Sequence, residues 1–133
     1  MTAPEDNLAG KMKSKGGIGR VFNATRYSMQ GLAAAWRDEH AFRQELMVVV
    51  PLAIAALLLD VGITQKALLI SASILIVIVE LLNSAVEAVV DLVTVQHHEL
   101  AKKAKDIGSA AVFLGFTNLA VVWGLVLIDR YWI

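Results

Sequence analysis

The sequence predicts an all-α membrane protein: one amphipathic helix on the membrane surface, followed by three transmembrane helices. Three observations carry that prediction. Hydrophobic residues make up 57% of the 133 residues and charged residues 18%, where a soluble domain averages about 45–50% and about 25%. Three long apolar stretches follow one another between residues 46 and 128. The segment ahead of them is apolar on one face only. The same composition excludes other classes. Without cysteine there is no disulfide scaffold, thiolate metal site or cysteine nucleophile. A net charge of zero excludes a strongly basic nucleic-acid binder, and the length allows one domain.

Residues 1–17 are polar, with Pro4, Gly10, Gly16 and Gly17 and no apolar core for a cleavable signal. They read as a mobile tail. Lys15-Gly16-Gly17-Ile18-Gly19-Arg20 is no phosphate loop, because it lacks both the Gly-Lys-Ser/Thr ending and a preceding strand.

Residues 18–38 come next. Ile18, Phe22, Met29, Leu32 and Trp36 recur at helical spacing, and Arg20, Arg26, Gln30 and Arg37 fall largely elsewhere. This predicts a helix lying on the membrane surface. Glu39, just before the first span, fits plain anchoring poorly, since an acid close to anionic lipid costs energy.

The first span is expected at about 43–63, with Pro51 inside it. The second, at about 67–95, is interrupted by Glu80, Asn83, Glu87 and Asp91. The third, at about 107–128, has 22 residues without a charge. A bilayer core needs about 20 helical residues. A soluble bundle is a poor alternative, because a helix apolar all round has no solvent face. Ten of the twelve Lys and Arg lie before the first span or between the second and third. The positive-inside rule then predicts a cytoplasmic N-terminus, a cytoplasmic 96–106 loop and an outward C-terminus. Trp123, Tyr131 and Trp132 read as an aromatic belt at the outer end.

The polar stripe in span two carries the chemistry. Glu80, Asn83, Glu87 and Asp91 are spaced 3, 4 and 4 and share one helix face. Glu80 and Glu87 are about 10 Å apart along the axis, too far to bind one ion directly without distortion. Acids in a span are costly, about 2.5–3.5 kcal/mol for Asp on insertion scales. Asp91 is near the cytoplasmic end, where solvation alone accounts for it. Glu80 is about three turns deeper and needs a partner, a proton or a polar cavity. His97, His98, Glu99, Lys102, Lys103, Lys105 and Asp106 follow. They form either a solvated turn or a set of lysines that meets a polyphosphate. Taken together the parts fit phosphoryl transfer, which needs charge neutralisation, an aligned nucleophile and a proton acceptor. A small proton or cation transporter is the other class that fits. The acids trend towards the cytoplasmic side rather than mid-membrane, which favours chemistry at the inner interface.

The run from Ile78 to Asp91, with Glu80-Leu81-Leu82-Asn83-Ser84-Ala85-Val86-Glu87 at its centre, resembles the signature of the bacterial integral-membrane diacylglycerol kinases. Ala34-Ala35-Trp36, Glu39, Ala41-Phe42-Arg43-Gln44-Glu45, His98-Glu99-Leu100 and Ala104 to Ala111 match as well. The resemblance covers residues 18–133 and implies one membrane kinase domain there. It implies a homotrimeric helical bundle with active sites shared between subunits. The reaction implied is phosphorylation of diacylglycerol by ATP with Mg2+, giving phosphatidic acid, in the bacterial inner membrane. By matching motif, Glu80 would be the general base, and Asn83 would organise the centre. Glu39 and Glu87 would hold Mg2+ and, through it, ATP. Arg20, Tyr27, His98, Lys105 and Asp106 would contact the nucleotide. Arg20, Trp36, Ala41, Phe42, Arg43, Gln44, Glu45, Lys66, Glu80 and Ser109 would line the lipid side. Gln96 and His97 depart from the family pattern, where an acid and an aromatic residue are expected, and this bears on nucleotide selectivity. A sister branch phosphorylates undecaprenol. The Ala-Ala-Trp and Phe-Arg-Gln-Glu segments resemble the diacylglycerol branch.

Overall fold

The computed structural model describes residues 17–94 and 98–132. The expected tail, apart from Gly17, and the departures at Gln96 and His97 lie outside them. Four helices run in order: α1 (Ile18–Asp38), α2 (His40–Leu58), α3 (Ile63–Val93) and α4 (Glu99–Trp132). Among the described residues there is no strand. The chain divides into two units, one ending at Arg37 and one comprising Asp38–Ile133.

In the first unit, Gly17 enters α1 with φ +28°, a backbone conformation that suits glycine. Thr25 and Ser28 donate their hydroxyls to the Val21 and Ala24 carbonyls one turn back, so neither exposes an unsatisfied polar group. At 100° per residue Ile18, Phe22, Met29, Leu32 and Trp36 form a stripe about 80° wide, and all five are exposed. Arg20 and Tyr27, seven residues apart, sit on the opposite side.

The second unit is a three-helix bundle in which α3 packs on both α2 and α4. All three helices are long and apolar enough to cross a bilayer. Its outer surface is oily: Ile54, Ile74, Phe113, Leu114 and Leu125 are all more than half exposed. A soluble domain rarely tolerates so much contiguous apolar surface. The 31 residues of α3 and 34 of α4 extend about 46 and 51 Å, against a hydrocarbon core of about 30 Å. The charges of α4 lie in its first two turns and its last turn, and Asp91 lies near the end of α3, whereas Glu80 is near the middle of α3.

The helices start and stop differently from the hydropathy pattern. The charged stretch 99–106, expected as loop, is the first two turns of α4. Glu99 stands in the first turn, where an acid favours the helix dipole, and the Leu100 N–H donates to His98 Nδ1 at 3.2 Å. At the other end α2 stops at Leu58 rather than near 63. The Gln65 side chain reaches back to accept the Gly62 N–H at 2.9 Å, and Ile63 thereby joins α3. Pro51 stays inside α2 and is exposed. The backbone N–H it lacks leaves one carbonyl a turn earlier without its helical donor.

On α2 the buried residues Phe42, Glu45, Val49 and Ala56 lie on one face. Val49 joins Ala72, Ile76 and Leu119 in one core cluster, and Ala56 joins Leu69 and Val126 in a second. Trp123 packs against both clusters. It is thus partly buried within the bundle, whereas Tyr131 and Trp132, two turns on, are exposed.

The α3–α4 contact has a seven-residue period. Leu69, Ile76, Asn83 and Val90 recur along α3, and Ala101, Gly108, Gly115 and Val122 along α4. A Cβ on Gly115 would meet Ile76 Cδ1 at 2.5 Å, and one on Gly108 would run into the Asn83 carboxamide. The large member thus comes from α3 and the small member from α4. Glycine lets the two helices approach closely at these two positions.

Candidate active site

The site is built on α3 and on the first turns of α2. Glu80 lies on the α3 face that enters the bundle and is 4% exposed. Glu45 reaches the same interior from α2, also 4% exposed, and the two carboxyls are close enough to repel when both are charged. Glu87, two turns beyond Glu80, and Glu39, at the N-cap of α2, also act electrostatically on Glu80. Glu39 has extended backbone (φ −103°, ψ 112°) and makes no side-chain capping bond, so its carboxyl is not spent on the helix end. Four carboxyls thus converge on one region of the bundle. Their mutual repulsion is relieved by a proton, a cation or both.

Asn83 lies between Glu80 and Glu87 on the stripe. Its Nδ2 donates to Glu87 Oε1 at 3.1 Å, which fixes the rotamer of Glu87. Its Oδ1 is buried without a hydrogen-bond partner among the described residues, as is Glu45 Oε1. A buried oxygen left unsatisfied costs about 1–3 kcal/mol. Two of them beside a carboxylate cluster mark a place built to receive another group.

At the mouth of this region, Lys105 of α4 pairs with Asp91 of α3 at 2.6 Å, and Lys102 pairs with Asp106 at 2.6 Å. Both pairs are substantially exposed. Such pairs exchange readily for a stronger anion. His98 is exposed at the start of α4. Two apolar cavities flank this part of the α3–α4 seam. One, of about 510 Å³, is bounded by Val90, Val93, His98 and Ala101. The other, of about 440 Å³, is bounded by Val79, Asn83, Val86 and Gly108.

The remaining expected residues divide clearly. Phe42 is buried and Arg43 half-buried, whereas Ala41, Gln44 and Ser109 are exposed. Arg20, Tyr27 and Trp36 belong to α1 and are exposed there, with the Arg26 guanidinium 5.6 Å from the Tyr27 ring centre. Lys66 is not brought to the carboxyl cluster. It is 14 residues from Glu80, about 21 Å along α3, and its Nζ donates to the Leu57 carbonyl at 2.7 Å, closing the end of α2.

Among the described residues no three of His, Cys, Asp and Glu come together as a metal cage.

Residues 26–127 match the profile of the prokaryotic diacylglycerol kinase family. The chain belongs to that family. The Diacylglycerol kinase of Pseudomonas aeruginosa is 48% identical over 116 residues, covering 87% of this chain and 94% of the relative. Diacylglycerol kinase of Escherichia coli K12 is 46% identical over 115 residues, covering 86% and 94%. That of Haemophilus influenzae is 41% identical over 111 residues, covering 84% and 94%. The family match spans all of α2 and α3 and every carboxyl of the cluster. Two features of this family member were not visible in its sequence: the closeness of Glu45 to Glu80, and Gly108 as the residue that makes room for Asn83. The seven-residue spacing of Gly108 and Gly115 is the one signal that points to the second.

Proposed function

We propose that this chain transfers the γ-phosphoryl group of ATP to the free hydroxyl of diacylglycerol, giving phosphatidic acid and ADP, in the bacterial inner membrane. The observation that carries the reading is the buried Glu80 carboxyl, with Glu87 held by Asn83 on one side of it and Glu39 at the start of α2. Glu80 accepts the proton of the lipid hydroxyl. The alcohol oxygen forms its bond to the γ-phosphorus as the bond to the bridging oxygen of ADP breaks. The dissociative character of this transfer asks only modest help from a base.

Glu87 and Glu39 are the residues that would hold Mg2+, which when bound would neutralise charge on the phosphates. The all-oxygen donor set and the unsatisfied Asn83 Oδ1 fit a hard cation and its waters. Arg20 and Tyr27, on the side of α1 away from its apolar stripe, face the nucleotide. His98, Lys105 and Asp106 do so from the start of α4, where Lys105 exchanges Asp91 for phosphate. Trp36, the Ala41–Glu45 turn and Ser109 lie along the lipid. The ten-to-two split of basic residues supports a cytoplasmic N-terminus and site. Membership of the family supports a homotrimer with shared sites.

The test is purified protein in mixed micelles with labelled ATP, offered diacylglycerol or undecaprenol. Labelled phosphatidic acid is expected. Labelled undecaprenyl phosphate alone would move the chain to the sister specificity, and proton movement in liposomes without any lipid phosphorylation would replace the kinase reading with transport.

A further inference from the structure

Two contacts link three residues at the α3–α4 seam, Gly108, Asn83 and Glu87. Gly108 of α4 lies directly against the Asn83 carboxamide; a Cβ there would meet Asn83 Cγ at 3.2 Å and its Oδ1 closer still. Asn83 donates to Glu87. Asn83 is half-buried with its Oδ1 sealed from solvent, so the carboxamide has little room to retreat. We propose that Gly108 is a positioning residue for the metal site: its missing side chain holds Asn83 in the one rotamer that orients Glu87. This rests on the reading of Glu87 as a metal ligand.

The geometry sets Gly108 apart from the other seam glycine. A methyl on Gly115 meets the Cδ1 end of Ile76 in an apolar layer. It changes packing and touches no polar group. A methyl on Gly108 occupies the volume of a carboxamide whose other end carries a hydrogen bond to a carboxylate. Asn83 then turns away, and Glu87 loses the donor that fixes it. Loss of an outer-shell partner typically weakens metal binding or activity about 10–100-fold.

The experiment measures Mn2+ binding to detergent-solubilised protein with a non-hydrolysable ATP analogue, following free Mn2+ by electron paramagnetic resonance and folding by circular dichroism. Gly108→Ala is expected to weaken Mn2+ binding about 10–100-fold, and Gly115→Ala to leave it unchanged while lowering the thermal midpoint. Asn83→Ala weakens binding as Gly108→Ala does. In the Asn83→Ala background the methyl has room, so Gly108→Ala adds no further loss. A folded Gly108→Ala protein with wild-type Mn2+ affinity overturns the inference, as does an additive loss in the double variant. If Gly108→Ala does not fold, the double variant decides. Its folding and matching Asn83→Ala in affinity supports the proposal, and its failure to fold overturns it. Glu87→Gln with unchanged Mn2+ affinity removes the metal assignment itself, and this inference with it. Glu87→Gln weakened while Gly108→Ala binds normally sinks the inference alone.

Discussion

The two ends of the α3–α4 pair are built from the same residue types and behave differently. At the α2–α3 turn, Arg130 pairs with Asp60 at 2.8 Å and donates from Nε to the Asp60 carbonyl at 2.6 Å. Gln65 donates to Asp129 at 2.6 Å, and Lys66 closes the end of α2. Charge meets opposite charge or a free carbonyl. At the other end Glu39, Glu45 and Glu87 each interact with Glu80, and one oxygen each of Glu45 and Asn83 is buried without a partner among the described residues. One end is complete within the chain and fastens helices. The other gathers carboxyls around Glu80 inside the bundle, and a proton, a cation or both relieve their repulsion.

The largest expected break in this contrast is at Glu80. Gln keeps its volume and an acceptor oxygen but takes no proton, so Glu80→Gln should lose about 10²–10⁴-fold in kcat. Mn2+ binding should change little. Full kinase activity would show that Glu80 is not the base. Next is Glu87→Gln, expected to lower activity by at least about 100-fold, beyond the usual effect of an outer-shell residue. Asp91→Asn, at the exposed rim beside Lys105, should lose less; equal activities in the two variants would reduce Glu87 to a buried polar group. The smallest effect belongs to the fastened end. Arg130→Gln should lower the thermal midpoint slightly, since exposed ion pairs contribute little, and leave kcat and KM for diacylglycerol unchanged. A large loss of turnover there would mean that the two ends are coupled.

The lesson of Trp123 and of the 99–106 stretch is that hydropathy locates lipid better than it locates helix ends. Trp123 was expected at the interface from its position near the end of an apolar run, and its partly buried ring also packs against two core clusters. Residues 99–106 were expected as loop from their charge, yet charge excludes a residue from hydrocarbon and not from a helix. The first two turns of α4 are helical and charged together.

Span number, the surface helix before them and the membrane setting were legible in the sequence. They follow from composition and period alone, which act residue by residue. The stripe of Glu80, Asn83, Glu87 and Asp91 was legible for the same reason, because helical geometry places residues at that spacing on one face. Which other side chains meet the stripe was not. That Glu45 arrives beside Glu80 depends on how α2 crosses α3, and that Asn83 is held by an absent side chain at Gly108 depends on the register of α3 against α4. Both are distances between residues far apart in the chain, and only packing decides them.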